Sequence, residues 1–123
     1  MQRNKYHAQK CVVDGITFDS IKEANRYREL RLLERAGKIR ELDRQVSFTL
    51  IRPHYGLVNG QKKCLERACT YKADFVYREA RTGPTGDTEW FEVVEDAKGV
   101  KTEAYKIKKK LMLDRFGIQI REV

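Results

Sequence analysis

Hydrophobic and polar residues follow one another along the chain in a pattern that predicts three strands and two helices. Strands are predicted over 45–51, 70–78 and 90–97, where apolar residues alternate with polar ones or run almost without interruption. Helices are predicted over 20–36 and over 102–116, because each run starts at a hydroxyl residue suited to capping and stops at a glycine. The first of these helices has apolar residues on more than one side, which is typical of a helix packed in a core.

Shorter segments complete the predicted fold. Two β-prone runs flank Asp14-Gly15 within 11–18, a strong signal for a hairpin, and 118–123 is expected to form a last short strand. Residues 52–69 contain proline and glycine, and they are expected to form an irregular loop or an extended hairpin. The order is a hairpin followed by α-β-β-β-α-β, which predicts a single α/β (α+β) domain over 1–123 with a mixed sheet between two helices.

Composition limits the class of protein. The chain is 41% hydrophobic and 36% charged, which is typical of a folded domain and not of a disordered segment. No apolar stretch is long enough for a membrane helix, and MQRNKYHAQK lacks the apolar centre of a secretory signal. We therefore expect an intracellular protein with no membrane partner.

The three cysteines suggest no disulfide framework, because their number is odd and their spacing irregular. Cys64, Cys69 and His54 share one region, but a Cys-x4-Cys pair with one distant histidine is poor zinc spacing. We expect free thiols, with a zinc site as the weaker alternative.

The net charge of +8 is concentrated in one place. Residues 101–115 carry six Lys or Arg and two acidic residues, a net of +4, directly after the third strand. A basic helix of this kind is typical of nucleic-acid binding, although a solvated helix face is the simpler alternative. Lys108 falls between the apolar stripes, so it would either extend along the helix surface or reach a phosphate. The expected DNA-backbone contacts are Lys101, Lys106, Lys108, Lys109 and Lys110.

Charged residues also end the third strand, in the stretch FEVVEDAKG. Asp96 and Lys98 point to the same face because side chains alternate along a strand. Asp74 lies in the preceding strand, and an antiparallel pairing would bring it beside Asp96. Two such carboxylates repel each other unless a cation such as Mg2+ neutralises them. The alternative is an ion pair at a strand end with no chemical role.

These residues resemble the D…(D/E)xK signature of the PD-(D/E)xK nuclease superfamily, in which Asp96-Ala97-Lys98 follows Asp74. Ala73 stands where the superfamily nominally has proline. Most of the chain is similar to a narrower group of small phage-encoded endonucleases, some of which resolve Holliday junctions. The matching stretches are KYHAQKCVVDGITFDSIKEANRY, YKADFVY, VVEDAKGVKTEAYKIKKKL and FGIQIREV.

The resemblance implies a restriction-endonuclease-like αβββαβ core and specific roles. Asp74 and Asp96 would hold Mg2+, for which Mn2+ can substitute, and the backbone carbonyl of Ala97 would add a third oxygen. Lys98 would be the catalytic lysine. Glu23 matches a glutamate that many members carry on the first helix, as a catalytic residue and a metal ligand.

Two of the polar residues have structural alternatives. Ser20-x-x-Glu23 is also a capping box, worth about 1 kcal/mol without any chemistry. Gln45 begins the strand after the first helix, where it could form hydrogen bonds near the metal or face solvent.

The resemblance therefore implies a Mg2+-dependent endonuclease acting on branched phage DNA, most of all four-way junctions, in the host cytoplasm. Two symmetric cuts favour a homodimer, with 11–18 or 52–69 as interface candidates. The alternatives are a nuclease for duplexes, flaps or ends, and a DNA-binding module without catalysis.

Overall fold

The computed structural model describes residues 9–97 and 100–123, and it contains two helices and eight strands within them. The predicted order of elements is confirmed, with one additional hairpin between the first two long strands. The elements are β1 Cys11–Val13, β2 Ile16–Phe18, α1 Ile21–Arg35, β3 Ile39–Ile51, β4 His54–Val58, β5 Gln61–Glu66, β6 Cys69–Thr82, β7 Thr88–Asp96, α2 Glu103–Phe116 and β8 Arg121–Glu122.

A four-stranded mixed sheet in the order β3-β6-β7-β8 forms the centre of the fold. β3, β6 and β7 are antiparallel neighbours, and β8 joins β7 in parallel. The Val123 N–H donates to the Asp96 carbonyl at 3.1 Å, which extends this last pairing. The predicted antiparallel pairing of the strands that carry Asp74 and Asp96 is therefore confirmed, as is the mixed α+β class.

The sheet has a hydrophobic core on each face. Val93 and Val94 are consecutive in β7, so their side chains point to opposite faces. Val93 belongs to a cluster with Tyr27 and Leu30 of α1, and Val94 to a cluster with Met112 of α2. The two helices therefore cover opposite faces, as the predicted sandwich requires.

Local chemistry fixes the helix ends close to the predicted positions. The Ser20 hydroxyl accepts a hydrogen bond from the Glu23 N–H at 3.1 Å, and the Thr102 hydroxyl accepts one from the Tyr105 N–H at 3.1 Å. Gly117 ends α2 in the left-handed region, with φ of 67°. The cap at Ser20 matters for function because it sets the position of Glu23 in the first turn.

The strands differ from the prediction mainly in length. β3 begins at Ile39, although its first six residues, IRELDR, lack the alternation that marks a strand. Charged side chains are tolerated there because β3 is an edge of the sheet. Among the described residues, no helix is long and apolar enough to cross a membrane.

The segment predicted as an irregular loop or extended hairpin is a hairpin, formed by β4 and β5. Asn59 and Gly60 form its tip with φ of 52° and 76°, the conformation that a tight two-residue turn requires. Every residue of the two strands is exposed except Gly56, which is half-buried. We call residues 52–68 the arm.

Candidate active site

Glu23 is buried in the first turn of α1, with only 6% of its surface exposed. Its Oε1 accepts a hydrogen bond from Gln45 Nε2 at 3.0 Å. The backbone N–H of Glu23 completes the Ser20 cap, so this residue serves the helix with its backbone and faces the sheet with its carboxylate. Ser20 therefore caps the helix, whereas the hydrogen bond that the structure gives for the Glu23 carboxylate goes to Gln45, in line with the predicted inward orientation and not with the capping box.

Gln45 links Glu23 to the sheet through an unusual backbone conformation. Its φ is 53°, in the left-handed region that non-glycine residues rarely adopt, at a cost of order 1 kcal/mol. The flanking pairs, Arg44 with Phe75 and Val46 with Ala73, place Gln45 opposite Asp74. Its Nε2 lies 3.0 Å from Glu23 and 3.4 Å from Asp74 Oδ1. The amide thus bridges two acidic side chains from different elements.

Asp74 is the centre of this arrangement. Its Oδ2 accepts a hydrogen bond from the Ala97 N–H at 2.9 Å, which ties β6 to the residue directly after β7. The pair Phe75 with Glu95 places Asp74 and Asp96 at opposing positions of the two strands. The contact that the structure gives for Ala97 is through its N–H, whereas the resemblance implied its carbonyl.

Asp96 is fully buried, and its Oδ2 accepts a hydrogen bond from the Tyr71 hydroxyl. Burial raises the pKa of Tyr71, and the hydrogen bond to Asp96 raises it further. The pKa of Tyr105 is also raised, first by burial and its hydrogen bond to Glu122, then by the charges of Asp96 and Asp74. Both aspartates therefore act on the same two tyrosines, neither of which the sequence analysis identified.

Repulsion between carboxylates is visible at Glu23. Burial raises the pKa of Glu23 to about 7, and the negative charge of Asp74 contributes to the rise. Arg44, whose guanidinium lies 3.9 Å from Glu23 Oε1, and the hydrogen bond from Gln45 both oppose the rise. The local charge favours a proton or a cation between these two side chains.

A second buried acid, Glu95, has the opposite environment. Arg26 donates to both of its carboxylate oxygens, at 2.6 and 2.9 Å, and the Tyr77 hydroxyl donates to one of them. Burial and the bond to Glu95 raise the pKa of Tyr77 to about 12. This ion pair joins α1 to β7, so it holds the helix that carries Glu23 against the strand that carries Asp96. No local signal reveals it, since Arg26 and Glu95 lie 69 residues apart.

Lys98 lies outside the described residues, so its proposed catalytic role stays a prediction. Of the five lysines predicted to contact DNA, three are engaged with acids of this chain. Lys109 and Lys101 lie 2.6 and 3.4 Å from Glu122, and Lys106 lies 3.2 Å from Glu103. The hydrogen bonds that Lys109, Tyr105 and Lys101 donate to Glu122 lower its pKa to about 2. Lys108 is half-buried and Lys110 is exposed.

Within 9–97 and 100–123, no three His, Cys, Asp or Glu side chains come together in a way that could hold a metal ion. Cys11, Cys64 and Cys69 are free, as predicted. The structure thus assembles Glu23, Gln45 and Asp74 with the backbone of Ala97, and places Asp96 beside them with its carboxylate bound to Tyr71.

Comparison with known proteins places the chain in a family. No curated protein and no solved structure matches it. Residues 3–122, nearly its full length, match the family described as "Protein of unknown function (DUF1064)". The chain therefore belongs to the DUF1064 family.

Proposed function

We propose that this protein is a metal-dependent DNA endonuclease of the PD-(D/E)xK superfamily that acts on branched DNA, most of all four-way junctions. The observation that carries the proposal is the linked set of Glu23, Gln45, Asp74 and the Ala97 N–H. These groups come from α1, β3, β6 and the residue after β7. The side chain of Gln45, whose backbone is strained, lies between the carboxylates of Glu23 and Asp74. Arrangements that cost stability in this way are concentrated at functional sites.

The fold supports the same proposal. After the N-terminal hairpin, and apart from the arm, a helix, three antiparallel strands, a second helix and a parallel strand follow the αβββαβ order that the resemblance implies. Asp74 and Asp96, the two acids that match the signature, lie at opposing positions of neighbouring strands, as joint binding of one metal ion would need.

The donor set fits Mg2+ in its chemistry. The charged ligands on offer are carboxylate oxygens, which hard divalent cations prefer. Burial raises the pKa of Glu23, and the negative charge of Asp74, which a cation would offset, raises it further. Asp74 and Asp96 would hold the ion, with Glu23 and the Ala97 carbonyl as further oxygen donors. When bound, the ion polarises the phosphodiester and lowers the pKa of a water molecule.

The residues of the chain have distinct roles in this proposal. The Ala97 N–H orients the Asp74 carboxylate, and Gln45 holds Glu23 and Asp74 at a fixed separation. Tyr71 orients Asp96 from the opposite core. Lys98 would orient the attacking water or stabilise the charge that develops on the phosphate. Symmetric cutting of a junction would require two such sites, and we therefore propose a homodimer.

A DNA-binding module without catalysis is the second candidate. It is favoured by one observation, that no three acidic, histidine or cysteine side chains form a metal-binding group among the described residues. The net charge of +8 would serve binding equally well in both cases.

A cleavage assay separates these functions. A labelled four-way junction and a linear duplex of matched sequence would be incubated with Mg2+ or Mn2+, using the wild-type protein and the variants Asp74→Asn, Asp96→Asn and Lys98→Ala. We expect symmetric cuts in the junction, and a loss of about a hundred- to a thousandfold in each variant, as is usual when one group that stabilises charge in the transition state is removed. Binding of the junction should persist in all three.

Each other outcome has a definite meaning. Equal cutting of the duplex would retain the chemistry and remove the junction preference. Binding without cleavage under either metal, unchanged in the variants, would establish the non-catalytic module. Lys38→Ala, at an exposed position before β3, is the control for removing a lysine and should leave cleavage intact.

A further inference from the structure

The arm is a separate structure attached to one end of the sheet. Its two strands pair with each other, and ten of their eleven residues are exposed. The exposed side chains include large apolar ones, with Leu57 77% exposed and Tyr55 and Leu65 each 56% exposed. A projecting ribbon with uncovered apolar side chains indicates a contact surface for a partner.

The charge of the arm indicates the class of partner that it would bind. Between Arg52 and Arg67 there are four Lys or Arg residues and one Glu, a net of +3. A second copy of this chain would bring a basic arm towards a protein of net charge +8, so like charges would meet. A polyanion avoids this repulsion and gains from the release of its counterions.

Positive charge is present on both faces of the arm. Lys62 and Lys63 are consecutive in β5, so they point to opposite faces, and Lys62 lies 5.1 Å from the centre of the Tyr55 ring. Phosphates on two sides occur in a groove of duplex DNA, which has a backbone along each wall. A flat acidic surface would meet only one of the two faces.

The dimensions of the arm also suit a groove. β4 and β5 pair as neighbouring strands, which lie about 4.8 Å apart, so their ribbon is narrower than the major groove of B-DNA, which is about 12 Å wide. Two-stranded ribbons are among the elements that this groove admits. The exposed leucines can then contact thymine methyl groups on the groove floor.

A basic cavity at the base of the arm extends the same surface. It has a volume of about 630 Å3, and Arg52, His54 and Arg115 line it together with apolar residues. Arg115 comes from the end of α2, so this cavity connects the arm to the body of the protein. A phosphate of the DNA backbone fits the chemistry of its lining.

We infer that the arm binds duplex DNA by entering its major groove, with Lys62 and Lys63 directed at phosphates and the basic cavity holding the backbone at its base. The choice of DNA rests on the proposed function. For a branched substrate, the arm would hold one duplex branch while the carboxylate site acts elsewhere.

Salt-dependent binding tests the inference. Fluorescence anisotropy of a labelled 20-base-pair DNA duplex, without divalent metal, would compare the wild type with the double variant Lys62→Ala/Lys63→Ala. The control is Arg35→Ala/Lys38→Ala, which removes the same charge from exposed positions at the opposite end of β3. We expect the arm variant to lose at least about tenfold in affinity, and its slope of log K against log salt to fall by about 1.8, since each phosphate contact contributes about 0.9. The control should retain the wild-type slope.

Three results would overturn the inference. The first is an equal change of slope in the arm variant and the control. The second is an equal effect of the arm variant on an RNA duplex of the same sequence, whose major groove is too narrow for side chains to read. The third is a change from dimer to monomer in sedimentation with Leu57→Ser, which would make the arm a contact between copies.

The two proposals can fail separately. A protein that cuts no DNA but shows the expected slope difference loses the nuclease proposal and keeps the arm as a DNA-binding element. A protein that cuts DNA while its arm variant binds like the control keeps the nuclease proposal and loses the arm.

Discussion

Two buried glutamates on the α1 side of the sheet have opposite surroundings. Glu95 accepts two hydrogen bonds from Arg26 and one from Tyr77, so its charge is matched within the protein. Glu23 has a second carboxylate, Asp74, in its surroundings, and its partners are the neutral amide of Gln45 at 3.0 Å and the guanidinium of Arg44 at 3.9 Å. The first arrangement joins two elements of the scaffold. The second destabilises the fold as it stands, which points to a role outside stability.

The largest effect in this comparison is expected from Glu95→Ala. The substitution leaves the Arg26 guanidinium, whose side chain is 21% exposed, without its buried partner. Breaking such a pair costs about 3–5 kcal/mol of unfolding free energy. The matched control is Glu29→Ala, because Glu29 pairs with the same arginine at 2.8 Å but is 62% exposed. We expect the control to lose less than about 1 kcal/mol in urea denaturation. Equal losses would contradict the scaffold role of Glu95.

In contrast to Glu95→Ala, the substitution Glu23→Gln is expected to increase the free energy of unfolding. The pKa of Glu23 is about 7 in the folded protein and 4.5 as its ordinary value, so ionisation weakens the folded state increasingly between these pH values and fully above the higher one. That difference corresponds to roughly 3 kcal/mol at most. We expect the glutamine variant to be more stable than the wild type by about 2 kcal/mol at pH 8, and by less than about 1 kcal/mol at pH 5.

Thermal unfolding without divalent metal at the two pH values measures this difference. Glu34→Gln, on a more exposed face of the same helix, serves as the control and should show no such pH dependence. A glutamine variant that is less stable than the wild type at pH 8 would show that Glu23 is a structural residue.

The smallest expected effect is the stabilisation of the folded protein by Mg2+ bound on the Glu23 side of the comparison. At ten times its dissociation constant, the ion should stabilise the wild type by about 1.4 kcal/mol if it binds only the folded state. Asp74→Asn should abolish this gain, whereas Glu29→Ala should retain it, because Glu29 belongs to the Glu95 side of the comparison. Unfolding curves with Mg2+ and with EDTA measure the gain. An equal gain in the wild type and Asp74→Asn would place the ion elsewhere.

Local chemistry explains why much of the fold could be predicted. Ser20 and Thr102 cap the helices, and Gly117 ends the second one, so the helix boundaries depend on residues within one turn. The antiparallel pairing of the strands that carry Asp74 and Asp96 follows from the turn between them, whereas the register that sets the two residues opposite each other comes from the structure. The helix boundaries and this pairing need no knowledge of distant parts of the chain.

Other features depend on contacts between distant residues. The bond from Arg26 to Glu95 spans 69 residues, and the left-handed backbone of Gln45 is imposed by its neighbours in the sheet and not by its residue type. The lysines between 101 and 110 were predicted to contact DNA, but Glu122, from the following strand, pairs with Lys101 and Lys109. The turn at Asn59-Gly60 was visible in the sequence, whereas its projection from the sheet followed only from the pairing of β3 with β6.

That pairing gives the protein a modular construction. Ile51 pairs with Cys69, so the chain leaves the sheet and returns to it at neighbouring positions. Doubling the length of such an excursion costs only about 0.6 kcal/mol of closure entropy, and shortening it to a tight turn would leave the β3–β6 register in place. Residues 52–68 can therefore be exchanged over evolution, or by grafting, without disturbing the carboxylates. A protein with a different arm can therefore keep the same carboxylate site.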